Sequence, residues 1–277
     1  MACARGRGRI NRYGTLIAVT HAYFTTTENG LQPAPEARSP WAADMLHGRL
    51  LSGLAARAVE GLFDDPELRV ARLTVDMFRT PPMTPLHVAT QIIRNGRRVR
   101  VVEVSIRADD LEVARASALF LRNGPHPDAT IWGAPDWSAA HPETLAAPEG
   151  EGAGGGWDIR LLTPGGFWTA ERKQLWARDT WQLVAGEALS PVVRAALAAD
   201  LPNPLANSGT AGLQFINADL TLFLGRPPVS EWIGLEVTSH IGHHGIAVGT
   251  CTMYDTEGMI GSSSVCAITN TATLGDC

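Results

Sequence analysis

The chain has 277 residues, with 23 basic and 28 acidic side chains, a net charge of −5, 45% hydrophobic and only 18% charged residues. That balance fits a soluble globular protein of one or two domains and argues against global disorder. Its mild acidity argues against a binder held to nucleic acid by phosphate neutralisation. No uninterrupted apolar run reaches the ~18 residues of a membrane helix, so no span is expected. Arg5, Arg7, Arg9 and Arg12 crowd the start without an apolar core and cleavage site before His21, which reads as a cytoplasmic chain. Cys3, Cys251, Cys266 and Cys277 show neither CxxC spacing nor disulfide density, and Lys173 is the only lysine.

In chain order, a short strand is predicted over 21–26. A helix follows over 41–61, where Leu46, Leu50, Leu54 and Ala58 recur at helical spacing, Leu51 widens the apolar face and Pro40 suits the start. Strands are then predicted over 70–78, 86–94, 99–107 and 113–121, with Asp109-Asp110 turning between the last two. From 123 to 156 no period of two or 3.6 persists, and Gly, Pro, Ala and Glu dominate. This reads as a long connection, part of which Trp132 and Trp137 pin to a domain surface. The second half repeats the order: a strand over 173–180; a helix capped by Ser190, opened by Pro191 and discouraged from continuing by Pro202; then strands over 214–223, 232–240, 246–254 and 259–268. The implied domains are 15–122 and 157–270, joined by 123–156.

The halves read as a duplication. A constant offset of 146 brings Pro81-Pro82 onto Pro227-Pro228, Gly96 onto Gly242 and Asp109 onto Asp255, with matching apolar alternation around each. Each half is a helix against an antiparallel sheet, and two such sheets side by side leave a crevice at their junction.

The pieces SPW (39–41), MLHG (45–48), LTVDMFRTPP (73–82) and GRRVRVVEV (96–104), followed by QLWARD (174–179), ALAAD (196–200), FINADLTLFLGRP (215–227), EWIGLEV (231–237) and HGIAVGTCTMYDTEG (244–258), resemble the TesB-like acyl-CoA thioesterases. The resemblance covers about 21–121 and 167–268. It implies an α+β tandem (double) hotdog, each half an antiparallel sheet wrapped around a central helix, with one catalytic centre where the halves meet. It also implies hydrolysis of an acyl-CoA or acyl-carrier thioester without cofactor or metal, in lipid metabolism or polyketide biosynthesis. In that family an Asp, a Thr or Ser and a Gln organise the attacking water. Asp200, Asn217 and Cys266 occupy those positions here. Asn217 can still orient water, whereas Cys266 lacks the two-sided hydrogen bonding of an amide; Ser263 or Ser264 are the nearby substitutes.

Read as residues, Asp200 follows small apolar neighbours, where burial raises a carboxyl pKa and suits it to general-base work; the bland alternative is a loop aspartate. Strand alternation places Asn217 and Asp219 on one face, for contact with water or substrate or for strand-edge hydrogen bonds. Cys266 as a thiolate is a rival nucleophile, though a small buried strand residue is the plainer reading, as for Cys251. His47-Gly48 at the start of the first helix offers a close backbone approach, an amide for an oxyanion and an imidazole for substrate. His240, His243 and His244 read as a surface turn rather than a metal group. Arg97, Arg98, Arg100 and Arg226 face coenzyme phosphates or solvent. Hydrolysis, another acyl-thioester reaction (dehydration, isomerisation or cyclisation) and noncatalytic acyl-thioester binding all remain open. Exposed sheet edges and faces predict a homo-oligomer.

Overall fold

The computed structural model describes residues 9–10, 16–17, 21–40, 42, 44–146 and 156–270. Cys3, Cys277, Trp41, Arg5, Arg7, Arg12 and the glycine-rich end of the connection at 147–155 lie outside them.

Strands β1 (Arg9–Ile10) and β2 (Leu16–Ile17) pair with each other. The first half continues with β3 (Ala22–Thr27), β4 (Gly30–Pro33), helix α1 (Arg49–Val59), β5 (Leu68–Met77), β6 (Leu86–Asn95), β7 (Val99–Ala108) and β8 (Leu111–Arg122). The second half holds β9 (Trp157–Leu161), β10 (Gln174–Asp179), β11 (Gln182–Val184), α2 (Pro191–Ala198), α3 (Pro202–Ala206) and a small pair, β12 (Ser208–Gly209) with β13 (Gly212–Leu213). It ends with β14 (Phe215–Asn217), β15 (Asp219–Leu224), β16 (Ile233–His243), β17 (Ile246–Asp255) and β18 (Gly258–Thr269). The four-strand blocks fall within a few residues of the alternation that predicts them. The first helix does not: it begins at Arg49 rather than at residue 41. Leu46 belongs to a bridge with Arg38, and Met45 to one with Pro82, so extended backbone carries the early part of the apolar pattern. Ser190 caps α2 as its sequence implies, its Oγ accepting from Val193 N at 3.1 Å. Pro202, rather than ending helical structure, opens α3.

One sheet runs in the order β11-β3-β4-β6-β7-β8-β5-β15-β18-β17-β16-β10-β9, with β14 also on β18. The halves meet where β5 and β15 pair antiparallel. The structure places the repeat at 147, not 146: Leu86, Val99, Leu111 and Arg122 bound strands in the first half, Ile233, Ile246, Gly258 and Thr269 in the second. The landmarks at Pro81, Gly96 and Asp109 mislead because they belong to connections, which tolerate a one-residue displacement that a ladder does not. Gly242 lies inside β16, and the hairpin turns instead at His244-Gly245, both with positive φ (48° and 79°). At an offset of 147, Thr74 and Thr221 are counterparts. They pair directly across the seam, with their Oγ1 atoms 3.1 Å apart, so the pseudo-twofold passes between them.

Inside the sheet, α1 packs against β5 to β8 and against α2, while α3 packs against β16 to β18. The α1–α2 approach needs a missing side chain: a Cβ on Gly53 would sit 2.6 Å from Leu197 Cδ2. The sheet also curls back on itself. β10 lies near one end of the strand order and β11 at the other, yet only Thr180 and Trp181 separate them, and β11 pairs in parallel with β3. In the connection, Trp137 stacks on Tyr254 and leans on Trp176, and Trp176 Nε1 donates to Ala140 O at 2.9 Å. Trp132, also expected as a pin, is 84% exposed and holds nothing down. No helix among the described residues is long and apolar enough to cross a membrane.

Candidate active site

Asp200 follows the C-cap of α2 and precedes α3. Its position is tied from behind: Ser263 Oγ, on the buried face of β18, donates to Ala199 O at 2.6 Å. The side chain crosses to the other half and ends at the start of α1. There Gly48, the N-cap, has no side chain to cap with, and the backbone amide of Arg49 donates to the Asp200 carboxylate. A carboxylate from one repeat thus serves the helix N-terminus of the other, where the helix dipole favours negative charge. Asn217 Nδ2 donates to Oδ1 at 2.8 Å, and His47 Nδ1 lies 4.0 Å from Oδ2. A Cβ at Gly48 would stand 3.7 Å from Oδ2 and 3.5 Å from Met77 Sδ, ordinary contact distances that place the Gly48 backbone directly against the carboxylate.

Burial pushes the Asp200 carboxyl above the usual range, and the Asn217 hydrogen bond, the Arg49 charge and the Arg49 amide draw it part of the way back. Burial, helped by the Arg49 guanidinium, lowers His47 to about 3, so the imidazole is neutral at ordinary pH. Asp200, Asn217, His47 and Gly48 are therefore brought together, from both halves.

The side chains of Asp219, Ser264 and Cys266 are not, although the Asp219 main-chain O accepts from Asn217 Nδ2 at 3.3 Å. The alternation expected to put Asn217 and Asp219 on one face breaks at Ala218, between β14 and β15. Asn217 stands opposite the buried Ala267, while Asp219 stands opposite the exposed Asp76 on the outer face. Asp219 Oδ1 accepts from Cys266 N at 2.6 Å. Cys266 is exposed rather than buried in the strand, and partial desolvation together with the Asp219 carboxylate raises its thiol pKa, the reverse of an activated nucleophile. Ser264 Oγ meets Thr250 Oγ1 at 3.0 Å. Cys251 is buried in the core.

Among the other candidates, His240 Nδ1 contacts Asn207 Oδ1 at 3.0 Å, and the His243 and His244 rings lie 4.0 Å apart. Arg226 forks onto the buried Asp255 at 2.5 and 2.6 Å, and Arg100 lies over the Phe63 ring, whereas Arg97 and Arg98 are exposed. A groove of about 500 Å³ opens beside the C-terminal end of α3, with Lys173, Leu205, Asn207, Phe215 and His240 in its walls. Asp200 is not among its lining residues, but Phe215 is two positions from Asn217 along β14.

Sequence reasoning missed Arg49 and Asp179. Arg49 is buried, pairs with Asp179 Oδ1 at 2.6 Å, donates to Tyr23 Oη and lies 3.8 Å from the Trp157 ring centre. Its main chain serves Asp200 while its side chain ties α1 to β10 and β3. The one available signal is a cation in the first turn of an apolar helix, where the dipole disfavours it.

The acyl-CoA thioesterase N-terminal domain model matches residues 37–121, and the acyl-CoA thioesterase C-terminal domain model matches residues 133–264. The chain belongs to the TesB-like acyl-CoA thioesterase family. Solved structures show the double hotdog at low identity. An acyl-CoA thioesterase II, TesB2, from Mycobacterium marinum superposes with a TM-score of 0.61 at 18% identity, over 82% of this chain and 90% of that one. A thioesterase II candidate of Thermobifida fusca reaches 0.70 at 15% identity, over 91% and 99%. A hot dog protein of unknown function from Alicyclobacillus acidocaldarius reaches 0.64 at 12% identity, over 87% and 92%. No curated protein matches the chain. This TesB-like family member has the tandem α+β hotdog that the resemblance implies.

Proposed function

We propose that this family member hydrolyses an acyl-CoA thioester through water activated by Asp200. The observation that carries the reading is a buried carboxylate at the junction of the halves, with one oxygen held by Asn217 and the other facing His47 and Gly48. Asp200 Oδ2 takes a proton from water as the water oxygen attacks the thioester carbon. Asn217 fixes the carboxylate, and the amide of Gly48 receives the developing oxyanion. Collapse breaks the C–S bond, and the proton passes from Asp200 to the departing thiolate. The groove beside Phe215 and Lys173 gives the thiol-bearing arm a place to lie.

Asp200→Asn keeps the shape and the Arg49 contact but removes the base. A panel of acyl-CoA thioesters is expected to show thiol release falling by about 10²–10⁴-fold with substrate binding retained; full turnover would reject the base. Altered acyl products without thiol release would favour dehydration, isomerisation or cyclisation instead.

The same reading takes the protein as a homo-oligomer. Ile216, Ile268 and Ile246 stand opposite one another on β14, β18 and β17, with Val248 opposite Ile241 one step along; all are exposed on the outer face.

A further inference from the structure

A water attacks a carbonyl carbon through an oxygen lone pair, so both of its hydrogens must be held away from that carbon, and one acceptor does not achieve this. Oδ1 of Asp200 accepts from Asn217 and the carboxylate also accepts the Arg49 amide, while Oδ2 faces His47 with lone-pair capacity for a further hydrogen bond. His47 Nδ1 lies 4.0 Å from Oδ2, beyond direct hydrogen-bonding reach. That nitrogen is buried and has no hydrogen-bond partner. An unpartnered buried polar atom is costly, so its presence asks for a ligand. The spacing suits a bridging water: hydrogen bonds of about 2.8 Å to two atoms 4.0 Å apart subtend roughly 90° at the oxygen, near the angle between its own O–H bonds.

Granting the Asp200 reading above, on which this rests, we propose that His47 is a catalytic residue whose Nδ1 accepts the second hydrogen of the attacking water while Asp200 takes the first. The main chain that carries the ring is fixed from both sides, with His47 N donating to Ala37 O and Leu50 N donating to His47 O, each at 3.0 Å. The side chain keeps 36% exposure although Nδ1 is buried, so the imidazole stands in the wall between solvent and Asp200. Its lowered pKa keeps the ring neutral, and the tautomer protonated at Nε2 leaves Nδ1 an acceptor. In the step, one water O–H breaks and its proton goes to Asp200 Oδ2. The other O–H stays intact against His47, the new C–O bond forms, and the carbonyl π pair moves onto its oxygen. When that pair returns, the C–S bond breaks and the sulfur leaves with the proton from Asp200.

The test measures steady-state thiol release from the best substrate of an acetyl- to palmitoyl-CoA panel, for the unsubstituted protein, His47→Ala, His47→Asn and Asp200→Asn, with circular dichroism as the check on folding. Asn places an amide oxygen near the site of Nδ1. His47→Ala is expected to lose about 10²-fold in kcat with KM within about threefold, and His47→Asn to recover at least tenfold of that loss. A rise in KM at unchanged kcat would overturn the proposal by making His47 a substrate contact only. An Asn variant no better than the Ala variant, with both folded, would also overturn it. Loss of turnover in Asp200→Asn beside full turnover in both His47 variants would reject His47 and leave Asp200 standing. Full turnover in Asp200→Asn, or no thiol release from the unsubstituted protein, would remove the reading beneath it.

Discussion

Asp200 is held between two demands: burial makes it a stronger base, while the Asn217 amide and the Arg49 main chain keep enough of it ionised to act. Because its pKa is raised, kcat/KM is expected to rise with pH through a midpoint above the ordinary aspartate value of about 3.9. Asn217→Ala removes a donor to the charged form. It is expected to move that midpoint further up and to lower the plateau by roughly tenfold, as read from pH–rate profiles. The sign for stability is opposite to that of a salt-bridged carboxylate. A carboxyl with its folded pKa above the unfolded one stabilises below the unfolded pKa and loses that contribution as pH rises through the folded value. At neutral pH, Asp200 is therefore a net cost. Asp200→Asn is expected to melt higher than the unsubstituted protein at pH 7, by about 2–4 °C per kcal/mol relieved, with the gap closing on acidification.

At the scale of elements, α1 is fixed by one pair at its first residue. Arg49 and Asp179 are both buried, and removing either leaves a charge without its partner. Asp179→Ala is expected to cost about 3–5 kcal/mol in urea unfolding. It should also lower turnover, because Arg49, left without its partner, presents its backbone amide to Asp200. The β-strands were legible because alternation is local and each four-strand block repeats. The strands β4, β9 and β11 were not, since three to five residues carry no period and are strands only because a neighbour pairs with them. In the site, Asp200, Asn217 and His47 could be nominated, but not the face on which Asn217 and Asp219 lie. That depends on the irregularity at Ala218, and a slip of one residue exchanges the two faces of a strand. The Arg49–Asp179 pair, 130 positions apart, leaves no local trace.

For the whole molecule, the outer face of β14, β16, β17 and β18 bears the isoleucines named above, and the proposed oligomer would cover them. Light scattering is expected to give a multiple of the chain mass, and Ile246→Glu with Ile268→Glu is expected to shift it to the single chain. Retained assembly would place the contact elsewhere.

The curled sheet has a further consequence. A chain cut after residue 122 would keep α1 but lose β11 from beside β3, the Asp179 partner of Arg49 and the carboxylate that accepts the Arg49 amide. The complementary piece would strand β11 without an edge to join. The two similar halves therefore lean on parts of each other, and neither stretch of chain carries the full set of contacts that its own helix and sheet use.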